Sequence, residues 1–301
     1  MKDNKYWKNY VHDIDADEIE KNIKKTTFKS RGMDLNLTYF EKNKNGPNIL
    51  CIPGISCYGL FYAELLYNMY LSGYNVFVLD FQGHGDSAGA RGDFTINEIL
   101  QNVKDAVKYI SNNFNNKIGV FGGSFGGFIA FYLALSDEPK ISSVVCHNPA
   151  ILTEKKFHDE VIKKVKFFLP ALKMLVKIFP KLKIPTSIYV DDEAFFETER
   201  EKKDADKFKK DPDAVMRYTL RGVMSQITTA PPGPIDKIKV PTMFLAPERD
   251  SLMSLAYVED LYDRLSPIRK KMVKLDGGHL FLHSHPFDAA KIICGWFDET
   301  L

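Results

Sequence analysis

The sequence predicts an α/β protein: a mostly parallel central sheet covered by helices on both faces, with a helical insertion near its middle. Three observations predict it. Short apolar runs at 48–52, 76–79, 118–121, 141–146 and 240–246 alternate with helical patterns, as in a sheet buried on both sides. The alternation stops between about Ile151 and Ile235 and then resumes. Residues 117–128 read as a strand, then Gly122-Gly123-Ser124-Phe125-Gly126, then a helix, the context of a sharp turn that lifts a serine hydroxyl clear of a sheet.

Composition bounds the reading. The chain has 301 residues, enough for one large α/β domain with an insertion, and is 45% hydrophobic and 27% charged, as in ordinary globular proteins. The net charge of +2 argues neither for nor against a nucleic-acid partner, but there is no basic cluster interleaved with aromatics, so none is expected. Cys51, Cys57, Cys146 and Cys294 form no C-x-x-C pair and no zinc spacing. Cys51 and Cys146 fall in expected buried strands and read as packed thiols, so a reducing cytoplasm is the expected location. Residues 1–25 are charged throughout and lack an apolar segment, so no secretory leader is expected, and no stretch approaches the ~18 apolar residues of a spanning helix.

In chain order, residues 1–24 form a polar extension with a short helix expected over Asp15–Lys24 and no assigned function. Period-two alternation predicts strands over Thr26–Lys29 and Leu35–Phe40, joined by a turn at 31–34. A strand at Asn48–Ile52 ends in Pro53-Gly54, and an apolar-aromatic helix follows at Leu60–Leu71. The strand Val76–Leu79 runs into Asp80-Phe81-Gln82-Gly83-His84-Gly85-Asp86-Ser87. Thr95-Ile96-Asn97-Glu98 is a capping box, and Ile99, Val103, Val107 and Ile110 give the next helix an apolar face. The Ser124 strand and turn lead into a helix at Phe128–Leu135, then a strand at Ile141–Cys146 reaching His147-Asn148-Pro149. Residues 151–235 show no strand pattern and are expected to be a helical cap, closed by Pro231-Pro232-Gly233-Pro234. The core, residues 25–150 and 236–301, resumes with strands at Val240–Ala246 and Lys271–Leu275 and helices at Leu255–Leu265 and Pro286–Phe297, the last with proline in its first turn.

The candidate chemistry sits at the carboxyl ends of the expected strands, where sites in such sheets lie. A serine hydroxyl needs a base to become a nucleophile, and the base needs an orienting carboxylate. Asp250 follows the first strand after the insertion, with Glu248 and Asp276 as rivals. His279 follows the next strand, with His283 and His285 as rivals. Two backbone N–H donors must hold the oxyanion: that of Phe125, after the serine, and that of Ile55, after Pro53-Gly54. Gly83 and Gly85 make only a fragment of a dinucleotide fingerprint and no helix opens there, so that loop reads as a brace for the site and no cofactor is expected. His279, His283 and His285 have no cysteine or carboxylate at matching spacing, so no metal is expected.

These residues resemble the α/β-hydrolase superfamily and, more narrowly, its group of monoacylglycerol lipases, lysophospholipases and serine aminopeptidase-like hydrolases. The resemblance is carried by Pro53-Gly54, the run from Asp80 to Ser87, Gly122 to Gly126, Pro247-Glu248-Arg249-Asp250, Gly277-Gly278-His279 and, within the insertion, Asp211-Pro212. It runs from about residue 26 to the end. It implies an α/β-hydrolase fold with Ser124 as nucleophile, Asp250 as acid and His279 as base. Close lipase relatives usually carry His-Gly where this chain has Pro53-Gly54; the oxyanion donor, a backbone group, is unaffected.

The insertion bears on substrate. Phe157, Val161, Ile162, Val165, Phe168 and Leu169 recur at helical spacing, as do Leu172, Leu175, Val176 and Phe179. Residues 151–190 hold nine lysines against three acids, and 191–213 hold ten acids against six bases. One reading is a cap helix packed on the core. The other is a lid that shelters an apolar acyl group and touches a lipid or micelle surface through its lysines, with a monoacylglycerol or lysophospholipid as the small-molecule ester substrate. The run Asp191-Asp192-Glu193 supports an aminopeptidase instead, since a carboxylate would hold the substrate amine. A thioesterase or acyltransferase would use the same three residues, and a non-catalytic binding protein would need none of them. Oligomeric state is not fixed by the sequence.

Overall fold

The computed structural model describes residues 5–136, 138, 140–163, 166–188, 196–266 and 269–301. In chain order the strands are β1 (Lys24–Ser30), β2 (Met33–Phe40), β3 (Asn48–Ile52), β4 (Asn75–Leu79), β5 (Ile118–Gly122), β6 (Ser143–His147), β7 (Lys183–Pro185), β8 (Arg217–Thr219), β9 (Thr242–Pro247) and β10 (Lys270–Leu275). The helices are α1 (Ala16–Asn22), α2 (Ala63–Leu71), α3 (Ile96–Asn113), α4 (Phe125–Leu135), α5 (Lys155–Glu160), α6 (Leu169–Ile178), α7 (Glu199–Phe208), α8 (Leu220–Thr228), α9 (Leu255–Asp263), α10 (Phe281–Ser284) and α11 (Pro286–Thr300).

Among the described residues one eight-stranded sheet runs in the order β1-β2-β4-β3-β5-β6-β9-β10. The β1–β2 and β2–β4 pairs are antiparallel and the other neighbours parallel. Alternate residues of the inner strands feed two separate cores. Leu50, Phe77, Val120, Val144 and Phe244 pack with α3, α4 and α9, whereas Ile49, Val76, Phe121, Val145 and Leu245 pack with α2 and α11. This is why the inner strands read as continuous apolar runs. α4 is buried all round, as suits a helix against the middle of the sheet. α3 carries the expected capping box, with Thr95 and Glu98 bonding reciprocally. The chain leaves β3 toward β4 on one side and returns to β5 on the other, so a crevice opens beyond the carboxyl ends of β3 and β5. Pro53-Gly54 and Ser124 stand at that crevice.

Three expectations need correction. The segment between β6 and β9 is not purely helical: β7 and β8 pair antiparallel, Lys183 opposite Thr219. Strands of three residues are too short to show alternation, and they lie far apart in the chain. The helix after Ser124 begins at Phe125 rather than Phe128: Gly126 and Gly127 are poor helix formers, which masks its first turn in the sequence, but the fold holds them helical there. β6 begins at Ser143 rather than Ile141. The run Asp191-Asp192-Glu193 and Val165 lie outside the described residues. The four cysteines are free and buried.

The N-terminal extension packs on the core more closely than its polarity suggests. Trp7 and Tyr10 are buried, and Asp15 caps α1 by accepting the Asp17 N–H. No described helix is long and apolar enough to cross a membrane.

Candidate active site

Ser124 occupies the tight turn between β5 and α4 with φ 54° and ψ −118°, a left-handed conformation that costs a non-glycine residue energy. Its neighbours show what the turn demands. A Cβ on Gly122 would fall 2.0 Å from the Gly126 carbonyl oxygen, and one on Gly126 would fall 2.0 Å from the Ile52 carbonyl oxygen of β3. Only glycine at both positions lets α4 approach the sheet so closely.

The structure brings Ser124, His279 and Asp250 together from the ends of β5, β10 and β9. Ser124 Oγ lies 2.9 Å from His279 Nε2, and His279 Nδ1 lies 2.7 Å from Asp250 Oδ2. A carboxylate only accepts, so His279 donates from Nδ1 and leaves the Nε2 lone pair facing the serine hydroxyl. Asp250 Oδ1 accepts the backbone N–H groups of Leu252 (2.8 Å) and Met253 (3.1 Å). Burial alone would raise its pKa, but the His279 charge and the bonds from His279 and Leu252 outweigh that and bring it down to about 2. The rivals stand elsewhere. Glu248 is exposed, Asp276 pairs with Arg249 at the surface, His283 bonds to Asp204, and His285 stacks on Phe281.

Gly54, Ile55, Ser124 and Phe125 share the wall of one cavity. The N–H of Phe125 is at the open start of α4, where the helix dipole also favours negative charge. Gly54 N–H donates to Tyr62 Oη at 3.3 Å, which fixes the turn ahead of Ile55. The loop after β4 braces this wall. Asp80 accepts the Gly59 N–H at 2.7 Å and the Asp86 N–H at 3.1 Å. His84, its pKa pushed down to about 4 by burial, donates from Nδ1 to the Gln82 carbonyl and accepts the Tyr218 hydroxyl at Nε2 (2.9 Å). Tyr218 of β8 in turn accepts the Ser56 N–H at 2.8 Å, so the inserted segment is tied to the loop after β3.

Two residues at the end of β6 were not singled out from sequence. His147 Nδ1 accepts the Ser124 N–H at 3.2 Å, and burial holds its pKa down to about 3, so it stays neutral. Asn148, at φ 53°, donates from Nδ2 to Asp250 Oδ2, the oxygen that His279 also uses. The rule that sites gather at strand carboxyl ends could have flagged both; nothing in the sequence says which carboxylate Asn148 meets. Asn148→Ala removes a donor from Asp250 but leaves the other three. We expect kcat to fall about tenfold at unchanged KM, which steady-state kinetics on any turned-over ester would test.

The cavity has a volume of about 200 Å³, and Ser124 and His279 both line it. Phe128, Leu152, Phe157, Ile162, Val223 and Ile227 form much of its wall. Among the described residues two carboxylates reach it, and both have partners: Glu201 caps the start of α7 through the Glu197 and Thr198 N–H groups, and Asp204 accepts from His12, His283 and Lys207. Those two histidines and Asp204 are the one group among the described residues with three metal-ligand atoms in reach of one another.

Comparison with known proteins agrees with this fold. Residues 44–284 match a family profile described as "Serine aminopeptidase, S33". No curated protein matches the chain. Among solved structures, the chain is similar to DcsB in complex with its substrate analogue, at TM-score 0.74 and 18% identity, covering 93% of this chain and 100% of that one. It is similar to the monoacylglycerol lipase of Paleococcus ferrophilus, at TM-score 0.71 and 20% identity over 88% and 98% of the two chains. A soluble variant of monoglyceride lipase from Saccharomyces cerevisiae, in complex with a substrate analog, superposes at TM-score 0.74 with 16% identity over 92% and 95%. The match over most of the chain, on this sheet order, makes the protein a member of the α/β-hydrolase group that holds the monoacylglycerol lipases and serine aminopeptidase-like enzymes.

Proposed function

We propose that this hydrolase cleaves carboxylic esters through an acyl-enzyme on Ser124, and that its substrates carry an apolar acyl group, as in a monoacylglycerol or lysophospholipid. The observation that carries the reading is the mostly apolar cavity that Ser124 helps to line. His279 takes the serine proton as Ser124 attacks the carbonyl, and the N–H groups of Phe125 and Ile55 hold the oxyanion. Asp250 keeps His279 in the accepting tautomer and stabilises the imidazolium. His279 then protonates the leaving alcohol, and water releases the acyl group by the same route. Neighbours described as monoacylglycerol and monoglyceride lipases support this substrate class. The described carboxylates at the cavity, Glu201 and Asp204, already have partners, which favours an acyl chain over the amine of an aminopeptidase substrate. The free, buried thiols suit a reducing, cytoplasmic setting.

Residues 151–235 act in this reading as the lid. α6 turns Leu169, Leu172, Leu175 and Val176 inward but buries none of them fully. α6 and the residues flanking it also expose apolar groups outward: Phe167, Phe168, Met174, Ile178 and Phe179 are all more than half exposed. The exposed Lys173, Lys177 and Lys181 lie among them. A greasy, basic outer face suits contact with a lipid surface.

Hydrolysis of p-nitrophenyl esters from acetyl to palmitoyl tests the acyl preference. Each added methylene that enters the cavity contributes ~0.8 kcal/mol, so kcat/KM should rise about fourfold per carbon until the chain outgrows it. A steady fall from acetyl to decanoyl would sink the reading. Replacing Phe167, Met174 and Ile178 together by serine should weaken binding to anionic phospholipid vesicles while leaving p-nitrophenyl acetate hydrolysis intact. Equal vesicle binding by the variant would remove the lid from the lipid contact.

A further inference from the structure

We propose that His12, Asp204 and His283 bind one divalent transition-metal ion, Zn²⁺ by preference, which locks the N-terminal extension and α7 onto the core beside the Ser124 site. The three residues come from separate parts of the chain. His12 lies between the Tyr6–Tyr10 turn and α1, Asp204 on α7 and His283 on α10. His12 Nε2 stands 2.7 Å and His283 Nε2 2.9 Å from Asp204 Oδ2, and the three atoms lie within 4.8 Å of one another.

A tetrahedral zinc with bonds of about 2.0–2.1 Å spaces its ligand atoms about 3.3 Å apart. Exchanging the two hydrogen bonds for metal bonds would move each nitrogen about half an ångström away from Asp204 Oδ2, and the two nitrogens, within 4.8 Å of each other, would settle at about the same 3.3 Å spacing. Two imidazoles and one carboxylate suit zinc and its neighbours, whereas Mg²⁺ and Ca²⁺ ask for an all-oxygen set.

The arrangement is held in place by groups that would not ligate the ion. Glu64 of α2 accepts the backbone N–H groups of His12 at 3.1 Å and Asp13 at 2.7 Å, which fixes the strand of chain carrying His12. Lys207 donates to Asp204 Oδ1 at 2.8 Å and leaves Oδ2 to the histidines. The Phe61 ring stacks on His283 with centroids 5.1 Å apart. Asp204 and His283 are buried, while the His12 side chain is 22% exposed, which gives an ion a way in and leaves water a fourth position.

The site's place gives it an effect. His283, on α10, stands four residues after His279 in the chain. Asp204 and His283 both line the cavity. A bound ion would join three segments that are otherwise linked there by side-chain hydrogen bonds, and would hold α7 against the cavity wall.

The test uses the full chain without a polyhistidine tag. Zn²⁺ is titrated by calorimetry, Co²⁺ by visible absorption, and Tm is recorded with Zn²⁺, with Mg²⁺ and with neither. Wild type should bind one Zn²⁺, show the absorption of tetrahedral Co²⁺, and gain several degrees of Tm at about 100 times Kd, with no response to Mg²⁺. His12→Gln, a change at the open side that leaves the buried pair intact, should bind Zn²⁺ at least ~10-fold more weakly and lose the Co²⁺ spectrum. Asp204→Asn should do the same. No stoichiometric Zn²⁺ binding by wild type, or undiminished binding by His12→Gln, would overturn the proposal. Neither outcome depends on ester hydrolysis.

Discussion

Ser124→Ala should lower ester turnover by about 10⁴- to 10⁶-fold while Tm stays within a few degrees of wild type. The hydroxyl is one short contact in the cavity wall, 2.9 Å from His279, and its removal opens no large void. The backbone keeps its left-handed turn at φ 54°, so the strain of the site persists in the alanine variant. Ser124→Gly should be as inactive but more stable than Ser124→Ala by about 1 kcal/mol, because glycine relieves that strain. Denaturant unfolding of the two variants side by side measures the difference. A glycine variant less stable than the alanine one would mean that the turn is not strained.

Asp250→Asn should lower kcat by about 10⁴-fold near pH 7. The four donors around this carboxyl explain the size of the loss. Oδ2 faces His279 Nδ1 and Asn148 Nδ2, and Oδ1 faces the N–H groups of Leu252 and Met253. An amide brings its own NH₂ into one of these positions. If it meets His279, the imidazole must accept at Nδ1 and turn its proton toward Ser124, the wrong tautomer for a base. If it meets the two backbone donors, they lose their acceptor, at ~1–3 kcal/mol. Stability should change with pH as well. The Asp250 carboxyl is lowered to about 2 in the fold, against ~3.9 when unfolded. Its contribution is therefore full above pH ~4 and lost as pH falls through about 2. Wild type should lose Tm more steeply than Asp250→Asn between those values. Parallel curves, with kcat unchanged, would move the acid role elsewhere.

Much of this was legible in the sequence because it is local. The turn at Ser124 is dictated by backbone collisions within a few residues, so glycines at 122 and 126 announce it. β3, β4 and β5 are buried on both faces and read as apolar runs whatever the rest of the chain does. What the sequence hid is long-range. His12 meets Asp204 across 192 positions, and Tyr10 and Tyr58 both reach Asp211, so the extension that looked idle is a clasp on the inserted segment. Asn148 is a polar residue after a strand until the fold sets it against Asp250. The four-residue α10 and the three-residue β7 and β8 are shorter than any periodicity that could reveal them. Periodicity did mark two faces on α6, but only the structure tells that apolar groups also cover the outer one.

The most direct measurement of the central claim is reaction with a fluorophosphonate, followed by peptide mass mapping and residual activity. The account predicts one adduct per chain, on Ser124, formed in step with the loss of ester hydrolysis and absent from Ser124→Ala. Full ester hydrolysis by a chain labelled to completion, or an adduct on a residue other than Ser124, would contradict it.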